Sequence, residues 1–323
     1  MKNVLVTGGA GYIGSHIIEL LVNKRAQVFI VDNLSTGYKK LINKKAIFYK
    51  IDINNYKKIK EIIIKNNIDS IIHLAAKLNV TEAEKNPKKY FDSNVMGTHN
   101  LLRASLNTKV KNFIFSSTCA VYNNNIPFAN EGSSTKPNGV YGLTKLKGEK
   151  LVKKYFKGKN KNYGILRYFN VVGASPSKKF GQINRNGQLF KNLSIEILKK
   201  SPTFAIYGDD YSTFDGTCIR DYIHVSDLAD IHIKTLLKIN KNNKSIVLNC
   251  GYGKGLSVLE VINQFKKFTN RKIKIKYSKR RKGDMVEITA NVKKLSKFIK
   301  WKPKYFNLKK IVKSSIDWEK IIS

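Results

Sequence analysis

Two polar side chains spaced four residues apart could transfer protons. Tyr141 and Lys145 lie in a stretch predicted to be a helix as far as Phe156, so both project from one face of that helix. A tyrosine phenol has an ordinary pKa near 10, and a neighbouring ammonium group favours the phenolate. Tyr141 would then be a usable base near neutral pH. Thr118, which ends an apolar run, could form a hydrogen bond with the same substrate oxygen.

A glycine-rich turn separates the first predicted strand from the first predicted helix. Residues 4–6 are apolar, glycines follow at positions 8, 9, 11 and 14, and a largely apolar helix begins near Ser15. Such glycines permit a tight turn and the close approach of a pyrophosphate, to which the helix amino terminus offers N–H groups and a positive dipole. We therefore predict a dinucleotide site here; the alternative is a purely structural turn.

An acidic residue follows the second predicted strand, which spans residues 28–31. Asp32 lies eighteen positions after Gly14, close to the spacing expected for the carboxylate that binds the adenosine ribose hydroxyls. No arginine follows it directly, and the carboxylate would repel a 2′-phosphate. These residues therefore favour NAD over NADP as the cofactor.

The tyrosine–lysine spacing alone also arises by chance in ordinary amphipathic helices. The glycine turn, Asp32 and the Ser116-Ser117-Thr118 strand end occur in the same chain and favour the catalytic interpretation. A cationic nicotinamide ring would favour the Tyr141 phenolate further.

Strand and helix patterns alternate through the first half of the chain. Strands are predicted at 46–49, 69–74, 113–115 and 164–167, and helices at 56–65, about 89–106 and 141–156. This alternation of strands and helices predicts an α/β fold with a doubly wound parallel sheet (Rossmann). The ligand crevice of such a sheet lies at the carboxyl ends of its strands. Asp32, Asp52, Ala75 and Thr118 all fall at such ends.

Composition narrows the class of protein. The chain has 323 residues, 42% of them hydrophobic, and no run near eighteen apolar residues, so no membrane span or signal-peptide core is expected. Three cysteines without C-x-x-C spacing favour a reducing, cytoplasmic compartment and no structural zinc. The five histidines show no metal-ligand spacing, so no metal site is expected.

The formal net charge of +39 raises the question of nucleic acid as a partner. Lysine pairs recur along the whole chain, which is typical of solvated faces, and no nucleic-acid-binding motif is present. We therefore expect no specific nucleic-acid partner, although salt-sensitive adsorption to polyanions is expected.

Several stretches together carry a family resemblance that spans essentially the whole chain. They are VTGGAGYIGSH (6–16), DNLSTG (32–37), NVMGT (94–98), NFIFSST (112–118), YGLTK (141–145), RYFNVVGA (167–174), residues 207–230, NCGYGKGLSVLEVI (249–262), RRKGD (280–284) and WKPKY (301–305). In these the chain resembles the extended short-chain dehydrogenase/reductase family, and within it the UDP-glucose 4-epimerases. Residues 207–230 are the most specific, because a generic cofactor-binding domain has no need of them.

The resemblance implies a two-lobed protein. Residues 1–170 would form the NAD-binding Rossmann domain and residues 171–323 a smaller nucleotide-sugar-binding lobe, with a return segment near 222–250 packing on the first domain. The glycine turn, the strand ends and the resemblance together assign the cofactor-binding residues: Gly8, Gly11, Tyr12, Ile13, Gly14, Asp32, Asn33, Ser35, Thr36, Gly37, Asp52, Ile53, Leu74, Ala75, Ala76, Asn94, Ser116, Tyr141, Lys145 and Tyr168.

The resemblance also implies a substrate-binding set: Thr118, Asn170, Gln188, Leu189, Tyr207, Arg220, Arg281, Asp284 and Ile288. The two arginines would bind the diphosphate, because their planar forks match phosphate oxygens. Tyr207 would stack against uracil, and Asp284 would bind the ribose. Alternatively, residues 279–282 are merely a basic patch. Ile288 occupies the position that, in the family, determines how much space is available beside the 2-substituent of the sugar. Alternatively, it is a core residue of a strand over 286–290.

Three stretches depart from the family pattern. The lysine after the fourth strand, Lys77, is displaced by one position, so it is not assigned to the cofactor. Asn123 follows Val121-Tyr122 where glycine is usual, and Val140 replaces the common proline before Tyr141. The reacting groups themselves are present.

The activity that the resemblance implies is NAD-dependent inversion at carbon 4 of a UDP-hexose, through a transient 4-keto sugar, with Thr118, Tyr141 and Lys145 as catalytic residues. A UDP-N-acetylhexosamine or UDP-pentose 4-epimerase with the same machinery remains an alternative, as does a non-catalytic NAD-binding sensor or scaffold. A 4,6-dehydratase is disfavoured because Cys119-Ala120 stands where that family has Asp-Glu. Family analogy also suggests a homodimer through the helices near 89–106 and 141–156.

Overall fold

Seven parallel strands form the central sheet. The computed structural model describes residues 2–185, 188–281 and 283–323. Its strands are β1 (Asn3–Thr7), β2 (Gln27–Asp32), β3 (Ile47–Lys50), β4 (Ser70–His73), β5 (Asn112–Thr118), β6 (Phe128–Ala129), β7 (Asn162–Tyr168), β8 (Asn170–Val172), β9 (Thr203–Tyr207), β10 (Ile219–His224), β11 (Ile246–Cys250), β12 (Gly255–Ser257), β13 (Lys274–Ser278) and β14 (Glu287–Ala290). The central sheet runs β3-β2-β1-β4-β5-β7-β11. This order reverses direction beside β1, which places a ligand crevice at the carboxyl ends of β1 and β4.

Helices cover both faces of this sheet. They are α1 (Tyr12–Asn23), α2 (Tyr56–Lys65), α3 (Val80–Lys85), α4 (Pro87–Tyr90), α5 (Gly97–Ala104), α6 (Val140–Phe156), α7 (Leu189–Leu198), α8 (Val225–Asn242), α9 (Val258–Thr269), α10 (Lys293–Ile299) and α11 (Leu308–Ile322). Val4 and Val6 of β1 point to one face, which α1, α8 and α10 cover, whereas Leu5 points to the other, which α2, α5 and α6 cover. Burial on both faces explains why the strands are nearly continuous apolar runs.

The remaining elements form a second group with its own apolar core. Strands β12, β10, β14 and β6 make a mixed sheet to which β8 adds beside β10, and β9 pairs in parallel with β13. Helices α7, α9 and α11 share a buried cluster that includes Phe190, Phe265 and Ile316. The chain returns to the large sheet through α8 and β11, which pairs with β7. The exact domain boundaries at residue 170 stay a prediction.

The long helix predicted near 89–106 is wrong as a single regular element. The structure has α4, then a π-helical turn over Phe91–Met96, then α5, and a short helix α3 that the sequence did not reveal. A π-helical turn holds one more residue per hydrogen-bonded turn than an α-helix, so it interrupts the regular helical period. Such turns are frequent at functional sites, and this one carries Asn94.

None of the helices in the described residues is both long and apolar enough to span a bilayer.

Candidate active site

The glycine turn joins the end of β1 to α1 and leaves that helix terminus open to an anion. Gly8 has a φ of +73°, and a Cβ there would lie 2.6 Å from the Ala75 nitrogen after β4. A Cβ at Gly14 would collide with the Gly8 carbonyl oxygen. No side chain caps the first turn of α1, and no acidic residue lies in it. The unsatisfied N–H groups and the space left by the glycines fit the pyrophosphate of a dinucleotide.

Asp32 ends β2 beside this turn and is 8% exposed. Its Oδ2 accepts a hydrogen bond from the Ala10 N–H at 3.1 Å, and its Oδ1 accepts one from the Leu34 N–H at 2.8 Å. Burial raises the pKa of this carboxyl, while the two backbone hydrogen bonds lower it. Each oxygen keeps acceptor capacity for a ribose hydroxyl.

A cavity of about 690 Å³ opens next to Asn33 and Asp52, beyond the ends of β2 and β3. The Asn33 amide donates to Asp52 Oδ2 at 2.6 Å, so these two assigned cofactor residues are in contact. The cavity lining is Asn33, Ser35, Asp52, Asn54, Lys77, Lys85, Asn86, Pro87, Lys88, Lys89, Asp92 and Ser93. Its carboxylate, amide and lysine side chains could bind the polar adenosine end of a dinucleotide. Ile53 is buried and packs against Gly97 of α5.

Asn94 connects the loop after β4 to α6, the helix that carries Tyr141 and Lys145. Its side chain accepts from the Lys77 N–H at 2.8 Å and donates to the Lys77 carbonyl at 3.1 Å and to Thr144 Oγ1 on α6 at 3.1 Å. Asn94 thereby fixes the Leu74-Ala75-Ala76 segment that faces the glycine turn. The Lys77 side chain, which stands one position away from the lysine of the family pattern, lines the cavity near Asp52.

Thr118 and Tyr141 are brought together by the packing of α6 against β5. Thr118 is the last residue of β5, and Tyr141 is the second residue of α6. Burial raises the pKa of the Tyr141 phenol well above its ordinary value, whereas its hydrogen bond with Thr118 lowers it. Burial therefore opposes the phenolate in the protein alone, and the role of Tyr141 as a base stays a prediction. A lowered pKa needs further positive charge at this site.

Lys145 lies one turn further along α6 and is 3% exposed. Its Nζ sits 4.8 Å from the centre of the Phe115 ring. Burial lowers the pKa of Lys145 to about 7, and the negative charge of Glu149 opposes that shift. The side chain can therefore gain or lose a proton near neutral pH.

A buried ion pair that the sequence reasoning missed supports this helix. Glu149 is 0% exposed and accepts from Ser117 Oγ at 2.6 Å, from Arg167 Nε at 2.9 Å and from Arg167 Nη2 at 2.7 Å. The network links β5, α6 and β7, which hold Thr118 and Lys145. Two signals could have found it: an acid four residues after Lys145, and an arginine inside an apolar strand.

Two assigned cofactor residues line the next strand ends. Tyr168, the last residue of β7, pairs in register with Thr118 of β5, and Ser116 lies two residues before Thr118 on that strand. The Tyr168 hydroxyl lies 2.5 Å from Nε2 of His232 on α8. Burial raises the pKa of Tyr168, and its hydrogen bond with Ser116 lowers it.

Four of the assigned substrate residues come together at the second group of elements. Tyr207 ends β9 and is 46% exposed, and the Arg281 guanidinium lies 5.2 Å from the centre of its ring. Arg281 Nε donates to Asp284 Oδ2 at 2.8 Å, and Arg220 Nη2 lies 3.9 Å from Asp284 Oδ1. Two guanidinium groups beside an exposed aromatic ring can bind a diphosphate next to a base.

Arg280 fastens the loops that carry these residues, a role the sequence reasoning missed. Its Nε donates to Asp210 Oδ1 at 2.6 Å, and its guanidinium lies 4.2 Å from the centre of the Tyr211 ring. The parallel pairing of β9 with β13 brings both loops to one end of the two-stranded sheet.

The other assigned substrate residues are more scattered. Asn170 begins β8 and pairs in register with Tyr222, and Gln188 precedes Leu189 at the exposed start of α7. Ile288 lies on β14 in register with Arg220.

Ile288 is 1% exposed and packs in an apolar cluster with Leu146 and Phe169. Ile288 is thus a core residue of β14, and it also lies beside Arg220, one of the two arginines assigned to the substrate.

Within the described ranges, no three His, Cys, Asp or Glu side chains are grouped so that they could hold a metal ion.

Comparisons with known proteins agree with this arrangement. Residues 4–251 match the model of the NAD dependent epimerase/dehydratase family. The UDP-glucose 4-epimerase of Halalkalibacterium halodurans is 38% identical over 98% of this chain and 95% of that protein.

Two solved structures extend the likeness to the whole fold. The UDP-glucose 4-epimerase of Stenotrophomonas maltophila, with bound NAD and formylated UDP-arabinopyranose, superposes with a TM-score of 0.93 at 33% identity, covering 100% of this chain and 99% of that one. The UDP-Glc/GlcNAc 4-epimerase of Campylobacter jejuni gives 0.86 at 36% identity, covering 99% and 100%. With its glycine turn, Asp32 and the Thr118–Tyr141 contact at one sheet edge, this chain belongs to the NAD dependent epimerase/dehydratase family.

Proposed function

We propose that the protein is a UDP-glucose/UDP-galactose 4-epimerase. The observation that carries the proposal is that Thr118, at the end of β5, lies beside Tyr141 of α6, at the same sheet edge as the glycine turn after β1. Such a site can oxidise and reduce one carbon of a sugar whose diphosphate is held elsewhere. Relatives of the same length carry that name.

Tyr141 removes the proton of the sugar 4-hydroxyl, and Thr118 orients that oxygen by a hydrogen bond. NAD, when held by the glycine turn and Asp32, would supply the acceptor for the hydride of carbon 4 and the donor for its return. The 4-keto sugar turns about its phosphate linkage between these events, so the hydride reaches the opposite face. Tyr141 then gives its proton back to the oxygen, which restores a hydroxyl with inverted configuration. Protons and electrons balance within each cycle.

Lys145 supplies a positive charge one helical turn from Tyr141. Burial keeps its pKa at about 7, so proton binding at Lys145 changes the charge of the site within the physiological range. When positive, it favours the phenolate of Tyr141 and so lowers the pKa that burial raises. The Glu149–Arg167 pair has a positioning role, because it holds Lys145 in place.

The substrate side binds the nucleotide more firmly than the sugar. Tyr207, Arg220, Arg281 and Asp284 offer an aromatic face, two guanidinium groups and a carboxylate for uracil, diphosphate and ribose. The binding energy of the UDP part holds the substrate, so that the sugar keeps the freedom to turn. Asn170, Gln188 and Leu189 complete the proposed set.

A UDP-N-acetylhexosamine or UDP-pentose epimerase is the second candidate. The Campylobacter jejuni relative acts on UDP-Glc and GlcNAc, and the Stenotrophomonas maltophila structure holds a UDP-arabinopyranose derivative. An isoleucine side chain at position 288 is smaller than a tyrosine side chain, so it should leave more space beside the sugar. A non-catalytic NAD-binding scaffold is disfavoured because Thr118, Tyr141 and Lys145 lie together.

We further propose a cytoplasmic homodimer. All three cysteines, Cys119, Cys218 and Cys250, are unpaired, which supports a reducing compartment. Met96 at the π turn and Leu143 on α6 are exposed apolar residues on the two helical segments suggested for the dimer contact.

The proposed activity is tested by incubating the purified protein separately with UDP-glucose and UDP-galactose. Either sugar should yield the same equilibrium mixture of both. Tyr141→Phe should lower turnover at least about a thousandfold, since general-base catalysis contributes 10²–10⁴-fold, while UDP binding persists. Conversion by the native protein of neither sugar, or near-native turnover by the variant, would refute the proposal.

A further inference from the structure

One segment of the second group of elements crosses to the cofactor side of the molecule. We call residues 173–184 the strap. At its start, the Gly173 carbonyl accepts a hydrogen bond from the Tyr12 hydroxyl of α1 at 2.5 Å. Further along, Ser175 and Ser177 donate to the Glu19 carboxylate at 3.3 and 3.0 Å. The strap therefore follows α1 away from the glycine turn.

The end of the strap reaches the turn after β2. The Asn184 amide donates to the Thr36 carbonyl at 2.9 Å and accepts from the Tyr38 hydroxyl at 2.6 Å. Gly37, between these two residues, packs so closely on Asp32 that a Cβ would lie 2.9 Å from its Oδ1. Asn184 thus holds the turn that lies against the proposed ribose carboxylate.

The strap is fixed to the second group of elements just before Asn184. The Gln182 carbonyl accepts from Trp318 Nε1 at 2.8 Å and from Lys191 Nζ at 2.9 Å. Lys191 also forms a buried ion pair with Glu319 of α11. The hydrogen bonds at this point are partly buried and the ion pair is buried, whereas the hydrogen bonds between Asn184 and the Thr36–Tyr38 turn are exposed. The strap should therefore open at Asn184, because that is where the fewest buried contacts are lost.

We propose that Asn184 and Tyr38 form a latch that slows NAD release. The strap contacts border the cofactor residues on two sides, at Tyr12 and at the Thr36–Tyr38 turn. A dinucleotide held by the glycine turn and Asp32 leaves more slowly while that turn is held in place. This inference rests on the proposed NAD site but not on the identity of the sugar. Cofactor retention suits a reaction that regenerates NAD in every cycle.

The test measures NAD release from the purified holoprotein. Native protein and variants are diluted into buffer containing an NAD-degrading enzyme, and the NAD still bound is assayed over time after denaturation. Asn184→Ala removes both latch hydrogen bonds and should speed release on the order of tenfold; Tyr38→Phe removes one and should speed it about threefold. The matched control is Tyr49→Phe, which removes a tyrosine–asparagine contact to Asn66 outside the strap.

Equal release rates in the native protein, Asn184→Ala and Tyr38→Phe would overturn the latch while leaving the NAD site intact. Faster release from Tyr49→Phe to the same extent would also overturn it, because the effect would then be general. Absence of NAD from the denatured native protein would refute the NAD site itself and the latch with it. Turnover at saturating NAD should be unchanged in Tyr38→Phe.

Discussion

Glu149 and Arg167 meet in a two-pronged ion pair, with 2.9 Å between Oε1 and Nε and 2.7 Å between Oε2 and Nη2. Both side chains are buried, and Ser117, next to Thr118, donates to the same carboxylate. The pair therefore joins the strand that ends at Thr118 to the helix that carries Lys145. It stabilises the relative placement of the reacting groups without touching the substrate.

Glu149→Ala should be strongly destabilising because it leaves the Arg167 charge buried without its partner. We expect a loss of about 3–5 kcal/mol in the free energy of unfolding, measured by urea denaturation. The control is Asp317→Ala, which breaks the exposed Lys313–Asp317 pair on α11 and should cost at most about 1 kcal/mol. Similar losses in the two variants would contradict the role given to the buried pair.

The lowered pKa of Lys145 predicts a pH-dependent stability in protein stripped of NAD. Between pH 7 and 10.5 the unfolded chain holds a proton on Lys145 that the folded chain has largely released. Burial of this ammonium therefore destabilises the folded protein fully below about pH 7, and this destabilisation disappears as the pH rises to about 10.5. Lys145→Met removes the ammonium group and therefore the free-energy cost of burying its charge.

The Lys145→Met variant should consequently be more stable than the native protein at pH 7, by on the order of 3–5 kcal/mol at 1.36 kcal/mol per pKa unit. The difference should shrink towards pH 10.5. Lys150→Met on the exposed face of the same helix serves as the control. An equal stability difference at both pH values would show that the ammonium is not penalised by burial.

Arg281→Ala should weaken UDP-sugar binding and leave the chemical step intact. Loss of a charged hydrogen bond corresponds to about 1.5–3 kcal/mol, which appears as a higher KM with little change in kcat. Lys279→Ala changes an exposed charge in the same stretch and distinguishes a specific contact from a general basic patch. If both variants raised KM equally, the patch interpretation would be correct.

We predict that Ile288 determines which UDP-sugars the protein accepts. Native protein should turn over UDP-N-acetylglucosamine as well as UDP-glucose, and Ile288→Tyr should selectively lose the acetylated sugar. The side chain is tightly packed beside Leu146 and Phe169, so tyrosine also carries an overpacking cost of about 1–3 kcal/mol. Ile288→Val, which removes one methylene group and adds no bulk, is the control. Equal loss of both sugars in Ile288→Tyr, or no native activity on the acetylated one, would exclude the gate.

The elements that hold the cofactor were predictable because local sequence determines them. The glycine turn needs small residues between a strand and a helix, and α2 was predicted at its observed bounds from the spacing of Ile59, Ile62 and Ile63. The support around the site was not predictable in the same way. The Glu149–Arg167 pair and the Asn184 latch join residues far apart in the chain, and no periodic pattern reports such pairings.

The transfer of a hydride away from carbon 4 and back to the same atom is the central step of the proposed reaction. It is tested most directly with UDP-glucose that carries deuterium at carbon 4, incubated with the NAD-loaded protein in ordinary water. We predict that the UDP-galactose formed keeps deuterium at carbon 4, since the abstracted hydride never exchanges with solvent. Product with hydrogen from water at carbon 4 would contradict the mechanism.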